Sequence, residues 1–182
     1  MGKKKTTRSK LFEAVWDEDV ERIQKLIKQG VPLSDIDEEH EDSPLTLAII
    51  RGRMDIVRML VEAGADVNDE SRPLDSACYR GSVEVVQLML NAGCDVNKNT
   101  ESDDRTAIFY ATFDRSKRHT EVVRLLIQAG AEVNAKRFTT VLMAASRSAS
   151  PEAVKLLIDA GADVNYGTSK GTALSFAIEK DR

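Results

Sequence analysis

Two histidines, His40 and His119, and two cysteines, Cys78 and Cys94, supply all the imidazole and thiol chemistry in this 182-residue chain. A nucleophilic site needs a thiol or hydroxyl beside a base, and a structural zinc needs four ligands in closely spaced pairs. Here the four residues have neither a Cys-x-x-Cys pair nor a histidine at a recognisable spacing from a cysteine. A calcium loop needs spaced carboxylates around a central glycine. The run DIDEEHED, Asp35 to Asp42, sets six carboxylates around His40 without that spacing or glycine, so it reads as a solvated loop tip. GRMDIV and GSVEVV lack the Lys and Ser/Thr of a phosphate-binding loop. No catalytic, cofactor-binding or metal-ligating residue is assigned, no cofactor is implied, and the chain is not expected to be an enzyme.

What the chain does carry is repetition. VRMLVEAGADVND (Val57 to Asp69) returns as VQLMLNAGCDVNK, VRLLIQAGAEVNA and VKLLIDAGADVNY, with a looser copy at IQKLIKQGVPLSD. The glycines at 30, 64, 93, 130 and 161 are spaced 34, 29, 37 and 31 by subtraction. A period of about 33 residues marks a stacked-repeat protein.

Within Ser43 to Val67, Ser43 can cap a helix that starts on Pro44, where a missing amide costs nothing. Leu45, Ala48 and Ile49 fall on one face of that helix, and Gly52 ends it. A second helix carries Ile56, Val57, Leu60 and Val61 on one face, stops at Gly64, and Ala65 to Asn68 leave it as an extended loop. A helix pair of this kind cannot bury both faces alone, so it must stack. Asn68, Asn97, Asn134 and Asn165 are expected to hydrogen-bond the closing turn.

The blocks SPLTLAIIRGRMDIVRMLVEAGADVN, RPLDSACYRGSVEVVQLMLNAGCDVN, TAIFYATFDRSKRHTEVVRLLIQAGAEVN and TVLMAASRSASPEAVKLLIDAGADVN resemble ankyrin repeats. Where that family's first half reads T-P-L-H, Thr46, Asp75, Phe109, Met143 and Ser175 stand in place of the histidine. The resemblance covers residues 11–182 and implies an all-α ankyrin-repeat solenoid of stacked antiparallel helix pairs with projecting loops or hairpins. About five repeats are expected, near 11–42, 43–71, 72–104, 105–138 and 139–170, plus a partial one at 171–182, behind a basic tail at 1–10. The first unit lacks an N-terminal loop and has Glu18 where Gly52 and Gly81 stand later. In the last, Ala173, Leu174, Ala177 and Ile178 have the spacing to dock, with Phe176 pointing elsewhere; this partial unit reads as a fragment of a longer array, with a C-terminal cap as the alternative.

The resemblance also implies where a partner binds. The two residues before each inter-helix turn vary in the family and face its concave surface. Here the first of them is Trp16, Ile50, Tyr79, Phe113 and Arg147, and the second is Asp17, Arg51, Arg80, Asp114 and Ser148. An aromatic ladder beside arginines is the composition of interface hot spots. The alternative is that these side chains pack between repeats, with an insertion covering Phe113; Tyr110 and Phe176 fit either role. That insertion, FDRSKRHTE, is three residues longer than the corresponding turns and groups Arg115, Lys117, Arg118 and His119 into a cationic knob suited to an acidic partner.

The remaining composition narrows the class of partner. A net charge of −4 and pI near 5.3 argue against nucleic acid, as does the split of basic groups between the tail and one turn. No apolar stretch approaches the roughly 18 residues that span a bilayer, and no signal-peptide hydrophobic region opens the chain. Cys78 and Cys94 read as small buried thiols of a reducing compartment. Lys3, Lys4, Lys5, Arg8 and Lys10 form a solubilising tail, with nuclear import or an anionic surface as alternatives. The expectation is a monomeric protein–protein interaction module in the cytoplasm, or in the nucleus, that grips an unidentified protein through its concave face and loop tips, without nucleic acid or membrane. A targeting or regulatory domain of a larger enzyme, channel or effector is the alternative, as is an inhibitor that occludes a partner's cleft.

Overall fold

The computed structural model describes residues 9–37, 41–98, 105–134, 140–169 and 171–180. His40 of the acidic run and Lys3, Lys4, Lys5 and Arg8 of the basic tail lie outside the described residues. Among the described residues the chain forms eleven helices and one two-stranded sheet, in two compact units, Met1–Ser76 and Ala77–Arg182.

The first unit holds α1 (Lys10–Trp16), α2 (Val20–Lys28), α3 (Pro44–Arg51) and α4 (Met54–Glu62); α5 (Pro73–Tyr79) crosses from it into the second. Local chemistry sets these boundaries. The Ser9 hydroxyl accepts from the Phe12 N–H and starts α1 at Lys10, inside the segment read as tail. Asp19 caps α2, and Ser43 caps α3 with Pro44 at its first position. The apolar stripes meet where α1 packs on α2 and α3, and α3 on α4. Phe12, Ile23, Leu45, Ile49, Ile56 and Leu60 are fully buried there. Val61, expected on the buried face, is only half-buried, because the core-facing stripe of α4 is Ile56, Val57 and Leu60. The chain leaves α4 through Gly64 at φ +89°, the left-handed conformation that suits a residue without Cβ.

One expectation changes here. Asp37 is buried, its N–H donating to the Asp42 carbonyl (2.9 Å) while its own carbonyl accepts from Glu41 (2.7 Å), so the acidic run is not simply a solvated tip. Glu18 takes the left-handed turn without being glycine, at φ +56°, a cost of about 1–2 kcal/mol. Its carboxylate meets Arg53 at 2.5 Å and Arg51 at 4.0 Å, tying that turn to the next one. Thr46, in the family's histidine place, joins a hydroxyl cluster with Ser71 (2.7 Å) and Ser43 (3.4 Å).

The second unit holds α6 (Val83–Asn91), α7 (Ala107–Tyr110), α8 (Lys117–Gln128), α9 (Val141–Ser148), α10 (Pro151–Asp159) and α11 (Ala173–Lys180). First helices form one row, α7 on α9 and α9 on α11; second helices form another, α6 on α8 and α8 on α10. Between α10 and α11, β1 (Gly167–Thr168) pairs antiparallel with β2 (Gly171–Thr172), Gly167 opposite Thr172. Against expectation, Leu174 and Ile178 of α11 are exposed, whereas Ala173 is buried and Phe176 half-buried. The helix docks on α9 through Ala173 and the Phe176 side, and not through the Leu174–Ile178 edge that its apolar spacing pointed to.

The closing asparagines also do a different job from the one expected. Three of the four turns are tied by the aspartate two residues earlier: Asp66, Asp95 and Asp163 accept from the N–H of Asn68, Asn97 and Asn165 at 2.8, 2.9 and 2.9 Å. The side chains of Asn97 and Asn134 instead clamp the next repeat. Asn134 donates to the Gly161 carbonyl and accepts from the Asp163 N–H, both at 2.8 Å, and Asn97 does the same to Gly130 and Glu132. Asn134→Ala therefore removes two inter-repeat bonds at an exposed site and is expected to destabilise by about 1–2 kcal/mol in urea denaturation, a loss that a purely local turn role would not produce in Asn134→Asp.

Candidate recognition surface

In the second unit, Arg105, Phe109 and Phe113 are four residues apart, and α7 is only one turn long, so all three reach the same side of the first-helix row. The Phe109 and Phe113 rings meet edge-on at 5.3 Å, Tyr110 lies 6.1 Å from Phe113, and Tyr79 meets Phe113 edge-on at 6.0 Å. These separations suit favourable aromatic pairs. The Arg105 guanidinium sits 5.3 Å over the Phe109 ring. Beside this cluster a cleft of about 500 Å³ opens against α9 and α11, lined by Met143, Arg147 and Phe176 as well as Arg105, Phe109 and Phe113. Among the described residues no carboxylate lines it. An apolar floor of this kind suits an apolar side chain.

Tyr79 is 62% exposed, yet it is held. His119 donates from Nε2 to the Tyr79 carbonyl at 3.0 Å; a carbonyl only accepts, so in the neutral ring Nδ1 accepts from the Ser116 hydroxyl at 2.9 Å. His119 is therefore buried in α8 and does not belong to the exposed cationic knob, nor to a loop. The Ser116 N–H, with help from its side chain, holds the Asp114 carboxyl below its ordinary range. Gly81 makes the arrangement possible: a Cβ there would lie 2.6 Å from the His119 ring.

Arg115, Lys117 and Arg118 are exposed, and Lys117 and Arg118 form the first turn of α8 instead of a loop. Cations at a helix N-terminus oppose its dipole, a cost of roughly 0.3–1 kcal/mol each. Arg80 and Arg147 are exposed as well, and Phe113 is not covered by the insertion. In the first unit, Trp16 and Ile50 are exposed, and the Arg51 guanidinium stacks 4.4 Å from the Trp16 ring centre. The structure thus groups Tyr79, Phe113 and Arg147 in one unit, and Trp16 with Arg51 in the other.

Arg105, Phe109 and Met143 were not read as site residues, and Phe176 only as one that fits either role. Their signal was the i, i+4, i+8 spacing of Arg105, Phe109 and Phe113, obscured by the insertion that follows.

Cys78 is buried and Cys94 only half-buried, a correction to their shared reading. Burial, then the neighbouring Asp95 charge, pushes the Cys94 thiol up to about 11. Its alkylation by iodoacetamide at pH 8 is expected to be on the order of a hundredfold slower than that of an ordinary thiol. Followed by mass spectrometry, the rate should keep rising with pH to about 11. Among the described residues, no group of three or more His, Cys, Asp or Glu is placed to hold a metal, and no helix is long and apolar enough to cross a membrane.

A family model described as ankyrin repeats (3 copies) matches residues 11–100, 77–137 and 93–168. No curated protein matches the chain. Among solved structures it is similar to an ankyrin repeat domain from Acinetobacter baumannii AYE, with 29% identity and a TM-score of 0.77 over 89% of this chain and 86% of that one. It shares its fold with the human ASB11 ankyrin repeat domain, with 24% identity and a TM-score of 0.69 over 93% and 92% of the two chains. With its helix pairs, closing turns and a family match running from residue 11 to 168, the chain belongs to the ankyrin repeat family, whose repeats generally serve as protein–protein interaction modules.

Proposed function

We propose that this chain binds a protein partner through the Tyr79–Phe113–Phe109 cluster and the adjoining cleft, with Arg80 receiving an acidic group and Trp16, Ile50 and Arg51 offering a second patch. Ankyrin repeat domains are typically non-enzymatic interaction modules, so specificity resides in surface side chains. The observation that carries the proposal is Tyr79: it is the most exposed aromatic anchor, 62% accessible, on a backbone fixed by His119 and against a ring fixed by Phe113. An anchor already held in place loses little ordering entropy on binding. Support for an acidic partner comes from Lys117 and Arg118, which stand at an N-terminus where α8 itself gains nothing from them.

Immobilised wild-type chain is expected to retain a partner that a Tyr79→Ala/Arg80→Ala variant of unchanged circular dichroism does not. A partner held equally by both would overturn this reading.

A further inference from the structure

The inserted turn of the second unit carries charge that its neighbours do not balance. Arg80, Arg115, Lys117 and Arg118 are all exposed. Among the described residues no ion pair reaches any of them, whereas Arg22, Arg53, Arg72 and Arg124 each meet a carboxylate. The carboxylates nearest in sequence are already engaged. Asp114 accepts from the Ser116 N–H at 2.6 Å and stands 3.4 Å from Nδ1 of His119, while Glu121 meets Arg124 at 3.2 Å.

His119 brings these cations to one place. Its Nε2 meets the Tyr79 carbonyl at 3.0 Å, beside Arg80, and its Nδ1 meets the Ser116 hydroxyl at 2.9 Å, between Arg115 and Lys117. A single imidazole separates the two backbones, so the cations border Tyr79 and their fields add over a Debye length of about 8 Å. The fold gains nothing from Lys117 and Arg118, which oppose the dipole at the N-terminus of α8. The whole chain carries a net charge of −4, so this edge reverses the field locally and draws in what the remaining surface repels.

We infer that the partner segment taken by the Tyr79–Phe113 surface is an acidic peptide: an aromatic residue packs on those rings, and a run of carboxylates directly beside it lies on Arg115, Lys117 and Arg118. This rests on the reading of that surface as a recognition site and adds the chemistry of its ligand. The two parts act on different rates. Exposed rim charges steer encounter and are screened by salt, whereas the packed aromatic contact sets how long the complex lasts. The Tyr79, Phe109 and Phe113 rings meet edge-on and leave Tyr79 62% exposed, an arrangement that a further ring extends. Nucleic acid and anionic membranes call for a broad basic face, and here the cations are confined to one inserted turn and Arg80 beside it.

The probe is fluorescein-labelled hexaglutamyl-phenylalanine, mixed with the full chain by stopped flow at low and physiological salt. It is expected to bind saturably, with association at least about tenfold faster at low salt. Arg115→Gln/Lys117→Gln/Arg118→Gln should slow low-salt association at least about tenfold and remove most of the salt dependence, with dissociation changed less than about twofold. Its melting temperature should hold or rise, because α8 loses cations from its N-terminus, which separates this effect from a folding defect. Tyr79→Ala should instead speed dissociation and leave the salt dependence in place. A triple variant that associates like wild type, or hexaglutaminyl-phenylalanine bound as well as the glutamate probe, overturns the inference. So does tighter binding to phosphatidylserine vesicles or to oligothymidylate through the same three cations. Unchanged dissociation in Tyr79→Ala, with association still slowed in the triple variant, overturns the aromatic anchor and supports the acidic run.

Discussion

Gly81→Ala is expected to be far more destabilising than the same change at Gly64, although both glycines take left-handed turns, at φ +63° and +89°. The conformational cost of adding Cβ is common to both, about 1–2 kcal/mol. Around Gly64 nothing lies within 4 Å of the added carbon, so that cost is nearly the whole effect. At Gly81 the carbon would meet the His119 ring at 2.6 Å, and ring and backbone cannot both stay. Displacing His119 breaks its bonds to the Tyr79 carbonyl and the Ser116 hydroxyl and leaves buried polar groups unmatched, a further penalty of about 1–3 kcal/mol. The expected total is roughly 2–5 kcal/mol against about 1–2 at Gly64, or a melting transition lower by on the order of 10 °C. Equal melting points for the two variants would show that His119 yields freely and does not hold Tyr79.

Tyr79→Ala/Arg80→Ala is expected to act the opposite way, on binding and hardly on folding. The bond between His119 and residue 79 uses the backbone carbonyl, so alanine keeps it. What is lost on the folded side is the edge contact with Phe113, worth about 0.5–1.5 kcal/mol, and an exposed arginine, whose removal falls within about 0.5 kcal/mol. On the bound side, tyrosine and arginine anchors of this kind typically contribute about 2 kcal/mol or more each. Even with strong non-additivity, the affinity should fall at least roughly tenfold.

Helices and repeats were legible because their signals are local. Ser43 before Pro44, the glycines that end second helices, and the Ile56–Val57–Leu60 stripe act within a few residues of themselves. Tertiary pairings were not legible in the same way. His119 stands in a run of basic residues and reads as one of them; only the Tyr79 carbonyl, forty positions away, draws it inside. Asn134 looks like a turn residue until Gly161 is placed beside it. Leu174 and Ile178 show that apolar spacing marks a face without saying which neighbour covers it. The ladder positions were readable by register with the family. The cleft that Arg105, Met143 and Phe176 add to Phe113 depends on three helices meeting, which no single repeat encodes.

Whether the Tyr79–Phe113 surface is a recognition site is best tested by titrating a captured partner calorimetrically against wild type and Tyr79→Ala/Arg80→Ala, with a thermal melt of each. The account predicts at least a roughly tenfold weaker Kd with melting points within about 8 °C of each other. Unchanged affinity, or a loss of binding that follows only from a collapsed melting transition, would contradict it.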